Sequence, residues 1–179
     1  PAPSLTNVLA GNGARRHEAI EGFLDWVYPA GVPSSIPIIA VTGSNGKTTT
    51  TTMLSRIAQA AGWRVGMTQT NGVYLDRELI EFGDLSAFIG HCRVFENREV
   101  NLAVLETARG GIITQGFAYD RCDVAVCTNV SAEHLGQEGI ETLAQLAVVK
   151  RSLLERATKA VVLNGDDPNC IAMLPFLTG

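Results

Sequence analysis

Ile36-Pro37-Ile38-Ile39-Ala40-Val41-Thr42-Gly43-Ser44-Asn45-Gly46-Lys47-Thr48, continued by four more threonines and Met53-Leu54, is the stretch that decides the fold. Its apolar, β-branched first half reads as a buried strand. Gly43 and Gly46 mark a turn where the backbone passes close to a neighbour with no Cβ in the way. Lys47 to Ala61 then reads as a helix, with Met53, Leu54, Ile57, Ala58 and Ala61 at helical spacing. Strand, glycine turn, Lys-Thr and helix make a phosphate cradle, because successive backbone N–H groups and a helix N-terminus offer partial positive charge to an anion. Thr42, Gly43, Ser44, Asn45, Gly46, Lys47, Thr48 and Thr49 are therefore the candidate nucleotide-binding residues. Lys47 can neutralise β/γ-phosphate oxygens, and the Thr48 hydroxyl can sit on a Mg²⁺. The general pattern G-x-x-x-x-G-K-[ST] asks for glycine where this chain has Val41. A glycine turn that binds nothing is the alternative.

The 179 residues fit one α/β domain with a real core, and 46% apolar with 18% charged residues is ordinary for a soluble globular chain. A net charge of −4 argues against a general nucleic-acid or membrane surface. No apolar run approaches the roughly 20 residues that cross a bilayer, and no signal peptide is evident, so a cytoplasmic protein is expected. Cys92, Cys122, Cys127 and Cys170 lack metal spacing and read as reduced thiols. Residues 1–33 read as a linker and a short amphipathic helix (Arg15–Val27) leading into a nucleotide-binding domain over 34–179. The start at Pro1 and the apolar tail at Gly179 are what a piece of a longer protein would show.

Further strands are expected over 64–70, 101–106, 123–129 and 160–163, with helices over 86–97 and 140–157. Asn71 to Glu81 reads as a hairpin about Asp76-Arg77, set outside the main sheet. Continuous apolar strands alternating with helices imply a mostly parallel sheet covered on both faces, a three-layer P-loop sandwich with a small extra hairpin. Ligands in such sheets bind beyond the carboxyl ends of the strands, here Gly43–Lys47, Thr70-Asn71, Glu106–Arg109, Thr128-Asn129 and Asn164–Asp167.

At those ends Glu106 can complete a Mg²⁺ shell with Thr48, or merely cap a helix. His134 is either structural or an unusual Mg²⁺ ligand needing oxygen company such as Glu133. Lys150 lies on an apolar helix face, where a lysine is paired, chemically altered or snorkelling to solvent. Asn164 offers the donor and acceptor that adenine requires, or closes a turn before the Asp-Asp-Pro helix start.

Together these stretches resemble a family. Ala40-Val-Thr-Gly-Ser-Asn-Gly-Lys-Thr-Thr-Thr50 is similar to the P-loop of the Mur ligases, which accounts for Val41. Leu105-Glu-Thr-Ala-Arg-Gly-Gly111, Tyr119–Asp123, Thr128-Asn129, His134-Leu-Gly136, Leu146–Lys150 and Leu163–Pro168 continue the likeness, which runs from about Glu18 to Pro168. The Glu-Thr-Ala-Arg-Gly-Gly version resembles most the Mur-like module of cyanophycin synthetases.

The resemblance implies the central, ATP-binding domain of a ligase that forms an amide through an acyl phosphate. Lys47 would hold phosphates, Thr48 with Glu106 one Mg²⁺, and His134 a second. Lys150 would be a carbamylated lysine beside it, so that Lys47, His134 and Lys150 form the catalytic group, and Asn164 would contact adenine. The implied partners are a small-molecule amino acid, a carboxylate-bearing peptide or polymer acceptor and a C-terminal closing domain. Homo-oligomer formation is left open. Glu133 replaces the family's usual Asp, and Leu85–Cys92 replaces a Thr-Gly-Pro-x-Ser segment expected near the carboxylate substrate. Peptidoglycan-precursor or folylpolyglutamate-type ligation, a P-loop ATPase or kinase, and an inactive binding module are the competing readings. The 179 residues alone are expected to bind ATP weakly and to turn nothing over.

Overall fold

A computed structural model describes residues 18, 20–22, 35–132 and 135–177. The chain divides into two units, Pro1–Ile36 and Pro37–Gly179. In the first, residues 18 and 20–22 are helical, inside the helix expected over 15–27. The remainder of that reading and the linker lie outside the described residues.

The second unit is built on seven strands: β1 (Ile38–Thr42), β2 (Val65–Gln69), β3 (Gly72–Leu75), β4 (Glu78–Phe82), β5 (Leu102–Glu106), β6 (Cys122–Cys127) and β7 (Ala157–Leu163). Among the described residues five α-helices accompany them: α1 (Lys47–Ala60), α2 (Phe88–Glu96), α3 (Arg109–Thr114), α4 (Leu143–Leu154) and α5 (Pro168–Ile171). The sheet order is β4-β3-β2-β5-β1-β6-β7. All pairs from β2 to β7 across this order are parallel, so their carboxyl ends emerge on one edge.

The apolar runs fix this arrangement. Ala40, Val41, Ala103, Val104 and Leu105 in the central strands β1 and β5 are all 0% exposed, as strands covered on both faces must be. Alternation along β2 shows the two covers. Val65 and Met67 join Ala58 of α1 in one cluster, whereas a Cβ at Gly66 would stand 2.5 Å from Val94 of α2. α4 packs on β6, β1 and β7 and begins with a capping box, Thr142 accepting from the Gln145 N–H and Gln145 answering it.

Two expectations are corrected. The hairpin is not outside the sheet: β3 pairs antiparallel with β2 and with β4, extending the parallel core by two strands. Asp76, at its turn, has φ 53 and binds the Val65 N–H through Oδ1 at 2.9 Å, locking the turn to β2. The second concerns α1, a helix as expected, whose apolar spacing does not mark its buried face: Met53 and Ile57 are 60% and 65% exposed, and Ala61 is exposed too. The helix instead lays Thr51, Ser55 and Ala58 on the sheet, because the buried Gln69 at the end of β2 gives the threonines a polar partner. Gln69 Nε2 donates to the Thr52 hydroxyl at 2.6 Å, the Thr51 hydroxyl at 3.1 Å and the Thr48 carbonyl at 3.1 Å. All four cysteines are free thiols, Cys122, Cys127 and Cys170 being buried.

Candidate nucleotide and magnesium site

The loop between β1 and α1 is tied down from the neighbouring strand. Ser44 N–H donates to the Asn129 carbonyl at 2.9 Å. The Asn129 side chain spans Asn45, accepting from its N–H and donating to its carbonyl, both at 2.9 Å. Thr128 Oγ1 donates to the same Asn45 carbonyl at 2.6 Å. Gly43 is what permits this approach: its φ is 144, and a Cβ there would lie 1.9 Å from Thr128 Oγ1. Gly46, with φ 83, turns the chain into α1. Ser44 Oγ accepts from the Ser131 N–H at 3.0 Å. These bonds hold the backbone in a fixed concave turn at the start of a 14-residue helix, the arrangement that receives phosphate oxygens.

Lys47 rises from the first turn of α1 and donates to the Ser44 carbonyl at 2.9 Å. Thr42, at the end of β1, is fully buried, and Thr49 is exposed on the first turn of α1. Thr48 and Glu106 meet although 58 residues separate them: the hydroxyl donates to Glu106 Oε2 at 2.8 Å. Glu106 is 0% exposed and its Oε1 has no hydrogen-bond partner. Burial raises its carboxyl above the ordinary range, while the Thr48 bond and the Lys47 charge pull it back down. A buried carboxylate oxygen without a partner, beside a hydroxyl, fits a hard cation that takes oxygen ligands. Among the described residues no group of three or more His, Cys, Asp and Glu side chains is close enough to hold an ion. A Mg²⁺ on Thr48 and Glu106 would therefore take its remaining ligands from phosphate and water.

Beside this pair opens a cavity of about 440 Å³ lined by Gly43, Ser44, Lys47, Thr70, Asp84, Ser86, Ala108, Arg109, Gln137 and Lys150, among others. Lys150, on α4, is 2% exposed and makes no ion pair among the described residues. Burial, with Lys47 and Arg109 nearby, lowers its ammonium to about 8. Arg109 leans the other way, pairing with Glu138 at 3.1 Å and donating to the Gln137 carbonyl at 3.3 Å, which fixes the 137–138 turn at the cavity wall.

The expected site residues are thus mostly gathered. Thr42 to Thr48 and Glu106 lie at the carboxyl edge of the sheet, and Gly43, Ser44, Lys47, Lys150, Ser86 and Ala87 line the cavity there. Asn164 is outside the cavity lining; its Oδ1 accepts from the Asp166 N–H at 3.0 Å, and Asp167 caps α5. That is the geometry of the turn alternative; it uses Oδ1 only, and contact of Asn164 with adenine stays a proposal. His134 and Glu133 lie outside the described residues.

Three polar groups at or behind this edge are not singled out by the sequence reading. Gln69 and His91 are buried polar groups inside apolar patterns, which spacing cannot single out. Asp84 had a signal, the Asp-x-Ser order: its Oδ1 accepts from Ser86 Oγ at 2.7 Å.

A family profile described as the Mur ligase middle domain matches residues 41–176. The cyanophycin synthetase of Synechocystis sp. is 46% identical over 152 residues, 84% of this chain and 17% of that protein. The UDP-N-acetylmuramyl-tripeptide synthetase of Deinococcus radiodurans is 35% identical over 152 residues, 78% of this chain and 29% of that protein. Among solved structures, a UDP-N-acetylmuramoyl-L-alanyl-D-glutamate–2,6-diaminopimelate ligase superposes with a TM-score of 0.68 at 27% identity, over 90% of this chain and 32% of its own. The chain spans less than a third of the length of these relatives.

Proposed function

Because this chain belongs to the Mur ligase family, as its middle domain, we propose that it binds Mg²⁺·ATP for a carboxylate–amine ligase, one that joins an amino acid to an aspartate side chain in the manner of a cyanophycin synthetase. The observation that carries this is the Thr48–Glu106 contact at 2.8 Å beside the phosphate loop and Lys47. The likeness to cyanophycin synthetases over 84% of the chain supports the substrate class.

In this reading the backbone N–H groups of Gly46, Lys47 and Thr48, at the start of α1, and the Lys47 ammonium bind the β- and γ-phosphates. They hold the γ-phosphorus toward the cavity, where the acceptor carboxylate lies. A carboxylate oxygen attacks phosphorus and ADP leaves, giving an acyl phosphate; the amine nitrogen then attacks the acyl carbon, phosphate leaves and the nitrogen loses a proton. Bound magnesium supplies charge neutralisation on the phosphate oxygens. Lys47 contributes most where negative charge develops between the leaving and transferred phosphates, once closure by a further domain excludes water. Lys150, half neutral near pH 8, adds its nitrogen to CO₂ and releases a proton, becoming an anionic carbamate. His134 is proposed as the ligand of a second Mg²⁺ near that group.

Closure over the cavity by a further domain is part of the proposal, as are an amino acid and a polymeric carboxylate as partners. No helix among the described residues is long and apolar enough to cross a membrane, in keeping with the proposed cytoplasmic setting. The test is an amino-acid screen for ADP release with a β-Asp-containing primer, using a polypeptide that includes the closing domain. ADP release requiring both primer and one amino acid supports ligation. Release independent of any amine favours a simple phosphohydrolase.

A further inference from the structure

The stretch Leu85–Cys92 reaches the main chain of Glu106. We propose that His91 is a positioning residue for Glu106, fixing the peptide that carries the magnesium ligand; this rests on the reading of Glu106 as that ligand. His91 is 0% exposed on α2, and its Nε2 lies 3.0 Å from the Glu106 carbonyl oxygen. A carbonyl only accepts, so Nε2 carries the proton. Thr68 Oγ1 donates to the same oxygen at 3.3 Å. On the other side of this peptide the Thr107 N–H donates to the Val41 carbonyl at 2.8 Å. Both polar ends of the Glu106–Thr107 peptide are therefore held, and the side chain is held separately by Thr48.

The same segment also grips the turn just beyond, the Ala108 N–H donating to the Ser86 carbonyl at 2.9 Å. Close packing keeps it there: a Cβ at Gly90 would stand 1.9 Å from the Leu85 carbonyl. Packing alone does not explain an imidazole at this position. His91 Nδ1 is buried with no hydrogen-bond partner, a cost that leucine of similar volume would avoid. What leucine lacks is the Nε2–H donor to Glu106.

The probe is Mn²⁺, titrated into the protein with ATP and read by the electron paramagnetic resonance of the free ion. His91→Leu is expected to weaken Mn²⁺ about tenfold, the range for losing a partner behind a metal ligand. It should leave ATP binding in chelator unchanged. His91→Gln, whose amide reaches the Nε2 position, is expected to restore affinity to within about twofold of wild type. A packing role predicts the reverse order, leucine tolerated and glutamine not, and that order overturns the inference. If His91→Leu does not fold, Thr68→Val removes the second donor to the same carbonyl: a loss of roughly two- to threefold supports the inference, and wild-type affinity overturns it. Wild-type protein that binds ATP with no metal dependence would sink the Glu106 assignment itself, and this inference with it.

Discussion

His91 and Lys150 are both buried ionisable groups, and each makes a claim that pH can read. Burial lowers the His91 imidazole from 6.5 to about 4. Between those values the unfolded chain takes up a proton that the folded chain refuses, so this contribution to stability is whole above pH 6.5 and is lost as pH falls toward 4. The expected loss is roughly 3 kcal/mol, read as the difference between wild type and His91→Gln in urea unfolding from pH 7 to 4. A wild-type profile no steeper than the variant's would contradict the buried neutral imidazole. Kept free of CO₂ and therefore uncarbamylated, Lys150 follows the same linkage at higher pH: with its ammonium lowered to about 8, stability rises from pH 8 toward the ordinary lysine range near 10.5. Lys150→Met removes the burial penalty of the charge and is expected to stabilise the protein by roughly 1–3 kcal/mol at pH 7 while abolishing ligation. Unfolding midpoints and ADP release measured on one preparation check both halves. Destabilisation by the methionine would show that Lys150 has a structural partner.

The phosphate loop is the element on which the fold turns, and its shape comes as much from β6 as from its own glycines. Gly43→Ala meets two obstacles, a φ of 144 and an atom 1.9 Å from the new methyl. It is expected to lower stability by at least roughly 1–3 kcal/mol and to weaken ATP binding, measured by thermal unfolding and nucleotide titration. Unchanged stability would mean that the turn is not pressed against Thr128. This loop was legible in the sequence because strand, glycines, Lys47 and Thr48 are contiguous, and β5 and its terminal Glu106 because the apolar run is unbroken. The buried face of α1 was misread because apolar spacing points at Met53 and Ile57, whereas Gln69, from another strand, makes a threonine face the better contact. The hairpin was found but detached from the sheet, since pairing of β3 with β2 through the Asp76 lock is a long-range choice that spacing does not record. His91 was invisible for the same reason: its partner is a carbonyl, and carbonyls leave no mark on a sequence.

In the second unit, the carboxyl edge of the parallel sheet assembles residues that stand far apart in the chain: Gly43, Lys47, Ser86, Arg109 and Lys150 line one cavity, and Thr48 meets Glu106. The chain spans 17% of the Synechocystis relative it matches, and ligation is expected only where a closing domain accompanies it. On the proposed reading nucleotide binding is expected of the chain itself, because the loop, Lys47, Thr48 and Glu106 come together within it. The most direct test is calorimetric titration of ATP with and without Mg²⁺, comparing wild type with Glu106→Gln. The glutamine keeps an acceptor for Thr48 but carries no charge for the cation. The account predicts that Mg²⁺ strengthens ATP binding to wild type. In Glu106→Gln that gain falls on the order of a hundredfold, while magnesium-free binding persists. An equal magnesium gain in both proteins would contradict it.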